Sequence, residues 1–166
     1  MRKRITSVLL VIAVISAMLF GQVITVSAEA GEKRVEGSLL TKEDSSEGFT
    51  QSNPNARGQH LMEGNSGISK AGRGRIYAYG ATAANPDVEK IAVIVYVDRY
   101  NEETGGWGQV ATFTAEDKNT YYVSVGKVVQ VERGYYYRVR CEHMAGNPSL
   151  NEVDSDASFT NGILAD

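Results

Sequence analysis

Serine and histidine are the residue types in this chain that could carry hydrolytic chemistry. Nucleophilic catalysis requires a serine on which a histidine base and an orienting acid converge. Ser66 stands between glycines in residues 64–67, and His60 and His143 are the two histidines of the chain. The alternative for residues 64–67 is a turn, since Gly, Asn and Ser favour turns for their own reasons. A small secreted hydrolase is therefore one alternative function.

Acidic residues close together near the C-terminus could bind calcium, because oxygen ligands suit hard cations. Asp154 and Asp156 are the calcium candidate, with Glu152 nearby. The segment lacks the glycine and closing glutamate of the twelve-residue calcium loop, so the alternative is a solvated acidic loop. Neither histidine has a second histidine at ligand spacing, which argues against zinc. We predict no cofactor and no catalytic residue.

Aromatic residues are the most informative set for binding. The chain has nine tyrosines and one tryptophan, and they cannot all point into one small core. Outward tyrosine and tryptophan rings suit sugars or protein partners, and arginines beside them suit carboxylates. The alternative is β-sheet propensity, which favours tyrosine on any half-buried face. Alternation predicts an aromatic–arginine face formed by Trp107, Tyr122, Tyr136, Arg138 and Arg140.

Short strands separated by turn residues predict an all-β domain. The longest apolar run spans residues 88–100, where both faces are apolar, as in a central strand that is covered on each side. Gly126 and Lys127 interrupt another strand and indicate a bulge or corner. No helical period is visible outside the N-terminal segment. We predict a single β-sandwich of about seven strands.

Cys141 is the single cysteine of the chain, so no intramolecular disulfide can form. It lies in a strand-like run, which predicts a buried small hydrophobe with a structural role. The alternatives are a nucleophile and an intermolecular bridge.

The segment from Val129 to Cys141 resembles the E–F corner of fibronectin type III and immunoglobulin-like domains. It has Gly134 in a tight turn and an alternating strand through Tyr137 and Val139. The resemblance implies that Tyr137 caps the corner by donating a hydrogen bond to backbone upstream. It also implies an immunoglobulin- or fibronectin type III-like sandwich, although the cysteine pair of antibody domains is missing.

The N-terminal residues have the three parts of a secretory signal. A cationic cluster at residues 2–4 precedes an apolar run over residues 5–20 and small residues that end at Ala28. We predict a signal peptide over residues 1–28, cleaved after Ala28 or after Ala30. The alternative is a retained membrane anchor, for which the apolar run is short. The polar residues 29–55 predict a disordered leader, and residues 56–166 the domain.

A second resemblance covers most of residues 57–163. It is to a family of small exported Gram-positive proteins of unknown function, and it implies export and one compact domain without implying an activity. The residues that carry it are Arg57, Gly58, Leu61, Gly64, Asn65, Ser66, Gly106, Trp107, Gly134, Arg140, His143, Ser158, Thr160, Gly162 and Ile163.

These patterns together predict a secreted, non-enzymatic binding or interaction module at the cell envelope or outside the cell. Loss of residues 1–28 removes three cations and no acid, which makes the net charge of −3 more negative. Nucleic acid and anionic membrane are therefore not expected as partners, since both require basic patches. The expected partner is a cell-envelope glycan or a secreted or surface protein. A carbohydrate-binding domain that uses exposed tyrosine and tryptophan is the more specific alternative.

Overall fold

A computed structural model describes residues 33–51 and 59–166 of the chain. The predicted signal peptide and both cleavage sites lie outside the described residues. No helix in the described ranges is long and apolar enough to cross a membrane.

Eleven β-strands and one short 3₁₀ helix make up the regular structure of the described residues. The helix spans Pro148–Leu150. The strands are β1 (Arg34–Val35), β2 (Ser38–Thr41), β3 (Ser45–Phe49), β4 (Leu61–Lys70), β5 (Arg75–Val88), β6 (Lys90–Asn101), β7 (Gly106–Asp117), β8 (Thr120–Gln130), β9 (Tyr136–Asn147), β10 (Glu152–Phe159) and β11 (Gly162–Leu164).

The strands form two sheets that pack as a sandwich. The seven-stranded sheet has the order β1-β2-β11-β9-β6-β7, with β10 also paired to β9. The four-stranded sheet has the order β3-β4-β5-β8. The pairings are antiparallel except that of β11 with β2, which is parallel. The predicted all-β sandwich is confirmed, with eleven strands where we expected about seven.

The core lies between the sheets and follows from period-two alternation in the central strands. Val93, Val95 and Val97 of β6 and Val139 of β9 point inward and have no exposed surface. Gly80 of β5 allows the sheets to approach, because a Cβ there would overlap the sulfur of Cys141. Cys141 is fully buried, and burial raises the pKa of its thiol to about 12. It therefore packs as a small hydrophobe.

A tyrosine fixes the turn between β8 and β9. The hydroxyl of Tyr137 donates a hydrogen bond of 3.0 Å to the carbonyl of Glu132, five residues upstream. Gly134 takes a φ of +84°, a left-handed conformation that glycine adopts without strain. The ring of Tyr137 is almost fully buried, so this corner is tied to the core.

The prediction of a disordered leader is wrong for residues 33–51, which contribute β1, β2 and β3. Their order comes mainly from backbone pairing: β2 pairs with β11, and β3 pairs with β4. Their small residues also pack well, since Ser38 and Thr41 are buried. The polar composition did not indicate this order, because the segment is held by backbone hydrogen bonds to β11 and β4 and buries few large apolar side chains. The domain therefore begins near residue 33 and not at residue 56.

A chain that begins at residue 56 is expected to be much less stable than one that begins at residue 31. The shorter chain lacks β1–β3 and removes two partners, in Glu36 and Ser38, from the buried Arg138. Leaving a buried charge short of partners costs about 3 kcal/mol or more, a large part of a typical domain's stability. Urea denaturation followed by circular dichroism measures the difference. Equal midpoints for the two chains would contradict the assignment of residues 33–51 to the domain.

Candidate functional site

The five residues of the predicted aromatic–arginine face do not share one surface. Arg138 and Arg140 lie in β9, Tyr136 begins that strand, and Trp107 lies in β7, all in the seven-stranded sheet. Tyr122 lies in β8 of the other sheet. The alternation that placed Arg138 and Arg140 on one face was right, but it could not assign strands to sheets.

Arg138 is buried, with only 3% of its surface exposed, so the prediction that it lies on an open face is wrong. Its Nε donates to Oδ2 of the buried Asp98 at 3.3 Å. Its Nη1 donates to the carbonyl of Glu36 at 3.1 Å and to the hydroxyl of Ser38 at 3.2 Å. Its Nη2 lies 3.2 Å from Oε2 of Glu36. The turn between β1 and β2 therefore covers this side of the sheet.

Trp107 belongs to the same covered region. Its indole nitrogen donates to the carbonyl of Val35 at 3.1 Å, and the guanidinium of Arg138 lies 4.5 Å from its ring centre. Its ring also meets Tyr100 edge-on at 5.6 Å between centroids. These contacts make Trp107 part of the packing between the N-terminal strands and the sheet.

Arg140 and Tyr136 are half-buried and engaged with neighbours. The guanidinium of Arg140 lies 3.9 Å from the ring centre of Tyr96 and donates to Glu142 at 2.9 Å. Tyr136 is paired with Leu164 of β11. The Arg140 side chain is therefore engaged within the protein, and Tyr136 is partly buried.

The calcium candidate lies in a strand and not in a loop. Asp154 and Asp156 are in β10, and Oδ2 of Asp154 accepts the backbone N–H groups of His60 at 2.6 Å and Leu61 at 3.0 Å. A cavity of about 280 Å³ lies beside His60 and Asp154. Within the described ranges, no group of three or more His, Cys, Asp or Glu residues is arranged to hold a metal ion. Asp154 is thus used to fix the start of β4.

His143 lies in the core between two hydroxyl groups. Its Nδ1 is 2.9 Å from Oγ1 of Thr82, and its Nε2 is 2.8 Å from Oγ of Ser158. The hydroxyl of Thr82 donates to the carbonyl of Ala92, so Nδ1 carries the proton and Nε2 accepts from Ser158. Burial lowers the pKa of His143 to about 4, with nearby Asp156 acting in the opposite direction.

The hydrolytic candidates are not assembled into a site. Ser66 is buried inside β4, and its hydroxyl donates to the carbonyl of Gly48. Residues 64–67 are therefore part of a strand, and neither the turn nor the nucleophile loop is present. Ser158 donates to His143 as a nucleophile would, but both residues are fully buried. A substrate could not reach this pair in the folded domain.

Three tyrosines lie together on the outer face of the four-stranded sheet. Tyr77 and Tyr79 of β5 and Tyr122 of β8 point away from the core of the four-stranded sheet; we call them the tyrosine face. Tyr77 is 39% exposed and Tyr122 46% exposed. The hydroxyls of Tyr79 and Tyr122 lie 3.0 Å apart. Burial, followed by the hydrogen bond with Tyr122, raises the pKa of Tyr79 to about 12, so the Tyr79 hydroxyl is neutral at physiological pH.

Glycines beneath and beside the rings shape the tyrosine face. Gly126 lies diagonally across from Tyr77, and a Cβ at this position would overlap the hydroxyl end of the Tyr77 ring. On the other side, Gly67 is paired with Tyr79, and a Cβ there would lie 3.6 Å from that ring. The absence of a side chain at Gly126 therefore makes room for the Tyr77 ring, whereas a Cβ at Gly67 would be in ordinary contact with Tyr79.

Two grooves flank the tyrosines. A groove of about 470 Å³ is lined by Ser45, Ser46, Glu47, Gly67, Ile68, Ser69, Tyr77 and Tyr79. A smaller groove of about 180 Å³ is lined by Glu63, Asn65, Ala81, Ala83 and Tyr122. The side-chain oxygen of Asn65 has no hydrogen-bond partner among the described residues. Aromatic, hydroxyl, amide and carboxylate groups thus meet on one surface.

Comparison with protein families places the chain in a group without an assigned activity. A model for a family of unknown function, DUF6147, matches residues 30–161. The chain belongs to this family. The DUF6147 match includes β1–β3 as well as the later strands, in agreement with a domain that starts near residue 33. No curated protein and no solved structure matches the chain.

Tyr122 is the only predicted site residue that lies on the tyrosine face of this DUF6147 member. Tyr77 and Tyr79 were missed as site residues, although their alternation with the core residues Ile76 and Ala78 carried the signal. What the sequence could not supply was the pairing of β5 with β8, which brings Tyr122 to Tyr79.

Replacement of Arg138 by methionine is expected to destabilise the DUF6147 domain by about 3 kcal/mol or more, because Asp98 then loses its closest buried partner. The double variant Asp98→Leu, Arg138→Met should be no less stable than Arg138→Met alone. Arg140→Met is the matched control, with an expected cost of about 1 kcal/mol, since that side chain is more exposed. Urea unfolding measures all three; equal losses for Arg138→Met and Arg140→Met would refute the structural role of Arg138.

Acid should destabilise the domain through His143. Between pH 6.5 and about 4, the unfolded chain binds a proton at this residue and the folded chain does not, so stability falls as the pH falls. The loss reaches about 3 kcal/mol and stops growing below about pH 4. His143→Gln keeps a donor and an acceptor but does not titrate, so its stability should fall less over this window. His60→Gln is the control and should retain the full loss in urea titrations across pH.

Proposed function

We propose that this protein is a non-catalytic binding module that acts outside the cell and binds its partner through the tyrosine face. The observation that carries the proposal is that three tyrosines and two grooves lie together on one sheet face. Large amphipathic rings supply contact area at a low cost in side-chain entropy, which suits them to recognition surfaces.

Placement outside the cell is supported by the secretory pattern of residues 1–28 and by the resemblance to small exported Gram-positive proteins. An acidic net charge favours a partner other than nucleic acid or an anionic membrane. The cell envelope, with its glycans and surface proteins, is the partner that we propose.

The burial of His143 and Ser66 supports binding over hydrolysis. His143 is fully buried between Thr82 and Ser158, and Ser66 is buried in a strand. Exposed aromatic and polar groups instead lie around Tyr77 and Tyr122.

The proposal predicts that the purified protein co-sediments with isolated Gram-positive cell envelopes through the tyrosine face. The double variant Tyr77→Ala, Tyr122→Ala should weaken binding about 30-fold, the effect of losing about 2 kcal/mol at an aromatic anchor. Tyr121→Ala is the matched control, because Tyr121 is the neighbour of Tyr122, is 62% exposed and lies outside the tyrosine face.

Thermal melts confirm that each variant is folded before binding is compared. Equal binding by the double variant and the wild type would refute the tyrosine face as the binding surface. The absence of any binding to envelopes would refute the proposed function.

A further inference from the structure

We propose that the ligand of the tyrosine face is a neutral glycan chain that runs along β5, with sugar rings against Tyr77 and Tyr122. The inference rests on the proposed function and assigns the class of ligand. It follows from the shape, the charge and the unsatisfied hydrogen-bonding groups of the surface.

The shape suits an extended chain. Tyr77 and Tyr79 line the larger groove, Tyr122 lines the smaller one, and the contact between the Tyr79 and Tyr122 hydroxyls joins them. Residues 77–83 of β5 run under both grooves, a length of about 20 Å at the usual rise of a strand. A path of this length holds several consecutive sugar units and exceeds what a monosaccharide can fill.

The rings present faces for stacking. The hydroxyl end of the Tyr77 ring lies over Gly126, and 39% of the Tyr77 surface remains exposed to solvent. Sugar rings carry an apolar C–H face that packs against such aromatic surfaces, with hydroxyl groups at the edges. Tyr122, which is half exposed, offers a second ring further along β5.

The charge of the grooves selects against anionic polymers. Glu47 and Glu63 are the charged residues that line them, and among the described residues no lysine or arginine does so. A phosphate-rich or uronic acid polymer would meet two carboxylates and no cation, which is repulsive. A neutral glycan instead offers hydroxyl groups that donate to these carboxylates.

Asn65 adds a polar contact that the protein does not complete. Its side-chain oxygen lacks a hydrogen-bond donor within the described ranges, at the edge of the groove beside Tyr122. A buried acceptor without a partner is costly. Because Asn65 lines the groove, rotation of its amide toward a bound ligand would let a hydroxyl or amide N–H supply the missing hydrogen bond. Sugar hydroxyl and acetamido groups have this chemistry.

The test is calorimetric titration of the purified protein with cellohexaose and chitohexaose, beside pull-down on insoluble cellulose and chitin. We expect at least one hexasaccharide to bind, with the corresponding disaccharide about tenfold weaker or more, and with little change between low and high salt. Tyr77→Ala and Asn65→Ala should each weaken binding, the first by about tenfold or more, whereas Tyr121→Ala should not.

Envelope pull-down separates failure of the ligand assignment from failure of the proposed function. Envelopes treated with a broad protease should still bind, and the hexasaccharide that binds should compete. Binding that requires the tyrosine face but disappears after protease treatment, with no competition by either hexasaccharide, would overturn the glycan assignment and leave the binding module standing. Competition by an anionic wall polymer but not by the neutral hexasaccharides would also overturn it.

Discussion

The buried guanidinium of Arg138 organises the seven-stranded sheet. It lies in β9, contacts Asp98 of the adjacent β6, and binds the backbone and side chain of Glu36 in the turn between β1 and β2. A buried cation requires several acceptors, because its loss of hydration is otherwise uncompensated. The N-terminal strands supply part of that set, although they contain few large apolar residues. The charge of Arg138 thus holds the polar segment of β1 and β2 in place, which the burial of its few apolar side chains alone would not do.

This interaction also decides which aromatic surface is left open. The carbonyl of Val35 in β1, next to the turn that covers Arg138, accepts the indole N–H of Trp107, so the tryptophan is used in packing. Within the part of the chain that the structure describes, no turn covers Tyr77 and Tyr122 of the four-stranded sheet, and their side chains remain near 40% exposed or more. The two sheets therefore differ in role. The seven-stranded sheet uses its cations and aromatic rings to hold β1 and β2, and the four-stranded sheet presents its tyrosines to solvent.

The sequence predicted the all-β class, the buried Cys141 and the Tyr137 corner, because each depends on local alternation or on a contact a few residues away. It failed where the result depends on distant pairing. Polar composition hid β1–β3, which are ordered by β11 and β4. Alternation showed that Arg138 faces away from the core but not that Glu36, about one hundred residues earlier, would cover it. Gly126 predicted a bulge or corner, and this was wrong. Strand β8 is continuous through Gly126, and the Tyr77 ring occupies the space where a side chain at residue 126 would lie.

The contact between Gly126 and the Tyr77 ring shows how the tyrosine face is built. A glycine in the middle of a strand exposes backbone and weakens the sheet, and a large ring across the pair restores the lost packing. The same arrangement lays the ring along the sheet, where one face is available to a ligand. Stabilisation of β8 and presentation of Tyr77 are therefore one interaction. Alanine at Gly126 would force the Tyr77 ring away from the strand, so it would disturb the groove without removing any tyrosine. Binding that depends on ring orientation would weaken in such a variant, whereas binding that needs only an exposed aromatic side chain would survive.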